Sequence, residues 1–234
     1  MSSETPNDNN AKLLLQTELS SITCGKSNFF KILDLFTKYG SDKYMIDENI
    51  TQLQHALQAA YIAKSCGAPK YVILGMLLHD IGQLIGQEAD ENINIEKLHR
   101  SHDDTGADFL TNEGFDIRII NIAKYHTYMK VLLCSIKPEY LSKLSKASQE
   151  SYVIQKEKYK NIISDSTMDG EVLMACRLID DCAKINDFTP GNILDYEELY
   201  DELKNQSLLS LQLDENDGDK KWIDNVAKYA NFNM

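Results

Sequence analysis

The chain has 234 residues, 43% of them hydrophobic and 26% charged, which is enough apolar material for a buried core and excludes wholesale disorder. Its formal charge of -12, from 24 Lys+Arg against 36 Asp+Glu, repels phosphate backbones and anionic headgroups, so neither nucleic acid nor membrane is expected as a partner. No apolar run approaches the roughly 20 residues of a membrane span, and the opening MSSETPNDNN lacks the features of a secretory signal, so a cytoplasmic location is expected.

Residues 1–10 are polar without apolar periodicity and are expected to form a disordered tail, with 11–234 as a single helical domain whose core runs from about 48 to 186. FFKILDLFTKYG places Phe30, Leu33 and Phe36 on one helical stripe that stops at Gly40. QLQHALQAAYIAKSCG, 52–67, repeats the pattern. Pro69 suits the first turn of the next helix, YVILGMLLHDIGQLIG, which is apolar nearly all round until His79 and is expected to be central. A polar loop, QEADENINIEK, follows. A helix is then predicted from near Ser101 to the Glu113–Gly114 stop, and another from Asp116 through DIRIINIAKYHTYMKVLLCS. LSKLSKASQESYVIQKEKY carries a capping signature at Ser145 or Ser148. GEVLMACRLIDDCAKI is an apolar-striped helix ending in acids. DYEELYDELKNQ, an acidic breaker at 214–219 and a short ending around Trp222 complete an all-α fold. Cys24, Cys66, Cys134, Cys176 and Cys182 form no CxxC pair, so reduced core thiols are expected rather than disulfides or a zinc knuckle.

The chemistry lies in the histidines. His55, His79, His102 and His126 each fall on a different predicted helix, and His79 is followed at once by Asp80 at the end of the most apolar one. A carboxylate buried there is costly unless it is paired or bound to a cation. Asp180–Asp181 repeat the anomaly on a further apolar helix. One such histidine is an ordinary core or surface residue, but four with two acids on successive helices point to a metal in the bundle interior. Histidine and carboxylate without thiolate suit iron, manganese or zinc. His99 is expected at the surface or behind the ligands.

The order H, HD, H, H, D on this helical background resembles the HD-domain superfamily, and is most similar to its mixed-valent diiron oxygenases, which include myo-inositol oxygenase and the phosphonate-cleaving enzymes. The resemblance to the phosphonate-cleaving branch runs from about Glu48 to Lys184. It rests on ENITQLQHALQAA, GAPKYVILGMLLHDIG, HDDTGADFL, YHTYMK, LSKASQESYVIQ and CRLIDDCAK. It implies an HD-domain helical bundle with a dinuclear site, two iron ions (Fe2+/Fe3+), a phosphonate or polyol-like small-molecule substrate, and O2. His55, His79, Asp80 and Asp180 would bind one iron, and Asp80 would bridge to a second held by His102 and His126. Asp180 rather than Asp181 matches the D-x-x-A-K pattern. Lys130, Ser148, Ser151 and Gln155 match the groups that meet the phosphonate, and Glu48 matches the acid facing a cationic amine. Without that match Lys130 reads as a solvated helix lysine and the serines as caps.

Three positions depart from the branch. Met45 stands where it has an iron-binding tyrosine, with Tyr44 one step away; Gln83 replaces the second histidine of HDIGH; and Lys156–Glu157 replace a Gly-Gly pair. A thioether is a poor substitute for tyrosinate on ferric iron, so the oxidised protein is expected to show no tyrosinate charge-transfer band. A visible absorption that disappears in Tyr44→Phe would contradict this. The implied activity is O2-dependent cleavage of the C–P bond of a 1-hydroxy (amino- or ammonio-alkyl) phosphonate to phosphate and a carboxylic acid, with Asp80, Lys130 and Glu48 at the reacting centre. The alternatives are a metal-dependent phosphohydrolase of a nucleotide or small phosphate ester, which consumes no O2, and a non-catalytic sensor that kept the fold.

Overall fold

The computed structural model describes residues 29–42, 49–160, 169–205 and 220–233. Among them the order is α1 (Phe30–Tyr39), α2 (Gln52–Ser65), α3 (Lys70–Leu78), α4 (Ile81–Ala89), α5 (Ile95–Asn112), α6 (Ile117–Ile136), α7 (Pro138–Lys143), α8 (Lys146–Lys158) and α9 (Gly170–Cys182). A 3-10 turn (Ile193–Tyr196), α10 (Glu197–Asn205) and α11 (Lys221–Asn233) follow, with no strand among the described residues. The helix starts are set by side-chain caps. Thr51 and Gln54 form a reciprocal capping box at α2, and Asn94, Asp116 and Asp169 each accept from a backbone N–H of the first turn of α5, α6 and α9. Of the two serines considered as caps, Ser145 opens α8.

α3 is the central element. Val72, Leu74, Met76, Leu77 and Leu78 are all buried, each contributing on the order of 1.5–3 kcal/mol of transfer free energy. It packs between α2 and α6, close enough that a Cβ at Gly75 would lie 2.4 Å from Ile122 Cδ1. α4 and α5 meet backbone to backbone where Gly82 faces His102 and Gly106. Cys66, Cys134, Cys176 and Cys182 are buried free thiols, and Trp222 is buried on α11. No described helix is long and apolar enough to cross a membrane.

Two expectations are corrected. The helix expected over 71–86 is two helices, because Asp80 leaves helical geometry at φ -103°, ψ 12° between α3 and α4. In an unbroken helix adjacent side chains diverge by about 100°; the break lets His79 and Asp80 reach the same interior space. α5 begins at Ile95 instead of near Ser101, since Asn94 caps it, so the acidic loop is shorter and His99 is helical. Cys24, Tyr44, Met45, Glu48, the tail at 1–10 and the breaker at 214–219 lie outside the described residues.

Candidate metal centre

Each of the four histidines is oriented by a backbone carbonyl. His55 Nδ1 donates to Ala183 O (2.8 Å), His79 Nδ1 to Met76 O (2.7 Å), His102 Nδ1 to Leu98 O (3.1 Å) and His126 Nδ1 to Ala123 O (2.6 Å). With the proton held on Nδ1, every Nε2 presents its lone pair inward, the state in which imidazole binds a metal. Burial pushes His79 down to about 4 and also lowers His102, favouring their neutral forms, whereas at His126 burial is outweighed by the Asp80 carboxylate, which raises it. The Nε2 atoms of His55 and His79 are 3.1 Å apart, and those of His102 and His126 are 3.0 Å apart. Two facing lone pairs cannot hydrogen-bond each other.

Asp80 stands between the pairs. Its Oδ2 lies 3.7 Å from His55 Nε2 and 3.6 Å from His79 Nε2, while its Oδ1 lies 3.4 Å from His102 Nε2 and 3.2 Å from His126 Nε2. Asp180 Oδ1 is 3.4 Å from His55 Nε2. His55, His79 and Asp180 thus form one three-ligand group, and Asp80, His102 and His126 another, all buried, with the ligand atoms of each group within 4.8 Å of one another. Both Asp80 oxygens and Asp180 Oδ1 are buried without a hydrogen-bond partner. Carboxylate oxygens left without donors among inward-facing lone pairs are accounted for by cations. The donor set fits a pair of metal ions, with Asp80 divided between them.

Arg177, not singled out from sequence, braces this centre. Its Nη1 lies 2.6 Å from Asp180 Oδ2, and it also pairs with Asp181, which accepts from the Tyr140 hydroxyl as well. Burial opposes ionisation of Asp180, but the adjacent guanidinium outweighs it and holds the carboxyl well below the usual range. Asp181 is engaged away from the histidines. The available signal was an arginine on an apolar stripe three and four residues before an acid pair, the spacing of neighbours on one helix face.

Beside the metal groups lies a small cavity of about 10 Å³ whose walls include Asp80, Gln83, Lys130, Ser148, Ser151, Gln155 and Arg177. Lys130, 4% exposed, is not the solvated lysine that composition alone suggests. Its Nζ donates to Ser151 Oγ at 2.8 Å, and burial, reinforced by Arg177 and Lys184, lowers it to about 7. Lys184 donates to Ser148 Oγ at 2.7 Å. Gln155 Nε2 donates to His99 O, leaving its Oε1 unpartnered. His99 itself is 8% exposed and lines the cavity, correcting the surface alternative: on α5 it sits one turn before His102. Asp103 accepts from Thr127 Oγ1 and Lys158 Nζ, both at 2.6 Å, and from the Tyr159 hydroxyl, fastening the end of α8 to α5 and α6. Arg177, Thr127 and Lys184 are therefore site or supporting residues that sequence reasoning missed.

Residues 52–166 match the family model of the HD domain. The chain is 36% identical over 121 residues to a glycine-betaine-forming 1-hydroxy-2-(trimethylamino)ethylphosphonate dioxygenase of Leisingera caerulea, covering 52% of this chain and 60% of the relative. It is 37% identical over 124 residues to a hydroxymethylphosphonate dioxygenase of Gimesia maris, covering 53% and 60%. It is also 36% identical over 130 residues to an uncharacterised protein of Acanthamoeba polyphaga mimivirus, covering 55% and 58%. The matched part of the chain spans less than two thirds of the length of each relative.

Proposed function

With an HD domain over residues 52–166 as the premise, we propose that this chain is an O2-dependent diiron oxygenase that cleaves the C–P bond of a small 1-hydroxyphosphonate, releasing phosphate and a carboxylic acid. The observation that carries this reading is the cation-lined cavity opening onto two three-ligand groups shared through Asp80. The resemblance to the two phosphonate dioxygenases supports the substrate class. His55, His79 and Asp180 would hold one iron and Asp80, His102 and His126 the other, in the Fe2+/Fe3+ state; the pair would supply chelation of the substrate hydroxyl and activation of O2.

The chain's own residues then have definable work. Lys130 and the hydroxyls of Ser148 and Ser151, with Arg177 close behind, offer charge and donors to a phosphonate. Gln83 and Gln155 add amide contacts. Lys130 is poised near neutrality, so an anion in the cavity stabilises its ammonium form. Nδ1–H bonds to carbonyls keep the imidazoles from turning, and burial keeps bulk water from the reacting carbon. Glu48 would meet a cationic amine, from outside the described residues.

The direct test is to load the protein with iron and supply hydroxymethylphosphonate, recording O2 uptake and phosphate release together. Matched uptake and release support the oxygenase. Phosphate freed from a phosphate ester without O2 uptake would replace it with a phosphohydrolase, and neither activity on either substrate would favour a binding role.

Lys130→Ala should weaken methylphosphonate binding by about 2–3 kcal/mol, the scale of a lost charge-assisted contact in a buried site, while iron content stays unchanged. Titration calorimetry on iron-loaded protein measures it. Unchanged affinity would remove the main support for an anion pocket.

A further inference from the structure

Gln52 and Gln83 lie on different helices, are 5% and 3% exposed, and are joined by a single side-chain bond in which Gln52 Nε2 donates to Gln83 Oε1 at 3.0 Å. Gln52 is in the first turn of α2, its backbone N–H satisfied by the Asp42 carbonyl at 3.0 Å. Gln83 is in the first turn of α4, its backbone N–H satisfied by the Asp80 carbonyl at 2.9 Å, and its side chain lines the cavity with Lys130 and Ser151. The two ends of a primary amide have nearly the same shape and opposite hydrogen-bonding polarity, so sterics do not choose between its two orientations and the hydrogen-bond partner does. Here the partner occupies the carbonyl end. The Nε2 end of Gln83 is left for the cavity, and no acceptor for it is found among the described residues.

We propose that Gln52 is a positioning residue that sets the polarity of the Gln83 amide, so that the cavity meets its ligand with a neutral N–H donor instead of a carbonyl. The proposal rests on the anion-binding reading of this cavity and deepens it. A phosphonate dianion only accepts hydrogen bonds. Lys130 and the Gln83 amide then face it as donors, whereas a reversed Gln83 would set one acceptor against another. The same arrangement disfavours an ammonium end group at this wall, because an ammonium only donates. Gln52 thus acts on substrate class without touching the substrate.

The experiment is a double-mutant cycle read by methylphosphonate binding to the iron-loaded protein, with metal content measured for each variant. Gln52→Met and Gln83→Met should each weaken binding by about tenfold. The double variant should bind no more weakly than Gln83→Met alone, because Gln52 acts only through Gln83. Gln52→Glu keeps the shape but accepts from Gln83 Nε2, turning the Gln83 carbonyl toward the cavity, and should bind more weakly than Gln52→Met. Losses that multiply in the double variant, or wild-type affinity in Gln52→Glu, would overturn the proposal. Lys130→Ala separates it from the reading beneath it. If Lys130→Ala binds weakly while the Gln52 variants bind normally, only the role of Gln52 fails. If Lys130→Ala binds normally, or the unaltered protein does not bind methylphosphonate, both fail.

Discussion

Asp80→Ala should cost the protein the metal ion held with His102 and His126, whereas Asp181→Ala should leave both ions in place. The two oxygens of Asp80 face different histidine pairs: Oδ2 lies within 3.7 Å of His55 and His79 Nε2, and Oδ1 within 3.4 Å of His102 and His126 Nε2. Removing that carboxylate takes a negative ligand from both groups at once. It leaves His102 and His126 as two imidazoles with no acid between them, too few ligands for a stable site, while His55, His79 and Asp180 keep three. Asp181 differs although it is next to a proposed ligand, because its oxygens are taken by Arg177 and the Tyr140 hydroxyl. Its loss leaves Arg177 with Asp180 alone, which should loosen the brace without removing a donor to metal. Elemental analysis after dialysis against iron decides the matter. Two irons per chain in Asp80→Ala would refute the shared-carboxylate arrangement, and none in Asp181→Ala would mean that the wrong acid of the pair has been assigned.

Gly82→Ala should destabilise the fold at least as much as most core substitutions and should disturb the metal centre with it. A Cβ at this position would stand 1.8 Å from the His102 carbonyl oxygen and 2.6 Å from the Gly106 nitrogen, all of it backbone on α5. No rotamer change can relieve such a contact, so α4 has to move off α5. Overpacking of this kind costs about 1–3 kcal/mol and occasionally more, and rigid backbone on both sides puts this case at the upper end. For a chain of this size that corresponds to a fall in Tm of roughly 6–12 °C. Asp80 immediately precedes α4 and His102 lies on α5, so separating the helices also parts the two ligands. Gly106→Ala is the control. Its Cβ would be 3.2 Å from the Gly82 nitrogen and 3.5 Å from Ile81 Cγ2, distances that small shifts accommodate. Thermal denaturation with metal analysis of both variants tests the account, and a Gly82→Ala protein with wild-type Tm and full metal content would contradict it.

Much of the helix content was legible along the chain, because apolar periodicity and capping residues are local signals. Asp116 before α6 and the apolar run of α3 needed no knowledge of the fold to be read. The metal-centre candidates were legible for a related reason: a histidine or carboxylate on an otherwise apolar helix is a local anomaly whose cost is evident wherever the helix packs. His79, Asp80 and the Asp180–Asp181 pair stood out in this way, the family resemblance chose Asp180 and His102 over their neighbours, and the fold brings His55, His79, Asp80, His102, His126 and Asp180 into two adjoining groups. What tertiary structure alone decided are relations between helices. The division of the Asp80 oxygens depends on the break at His79–Asp80, where a polar pair in an apolar run does not by itself signal that one helix ends and another begins. Arg177 becomes a brace only because α9 is buried there and Tyr140 arrives from α7. His99 is a cavity residue only because α5 begins early enough to turn it inward beside Lys130. The bond between Gln52 and Gln83 spans 31 residues between two polar side chains that either helix alone could have left in solvent. A helix face is specified by its own residues, but what that face meets is specified by the helix opposite, and hydrogen bonds and buried charges depend on that meeting.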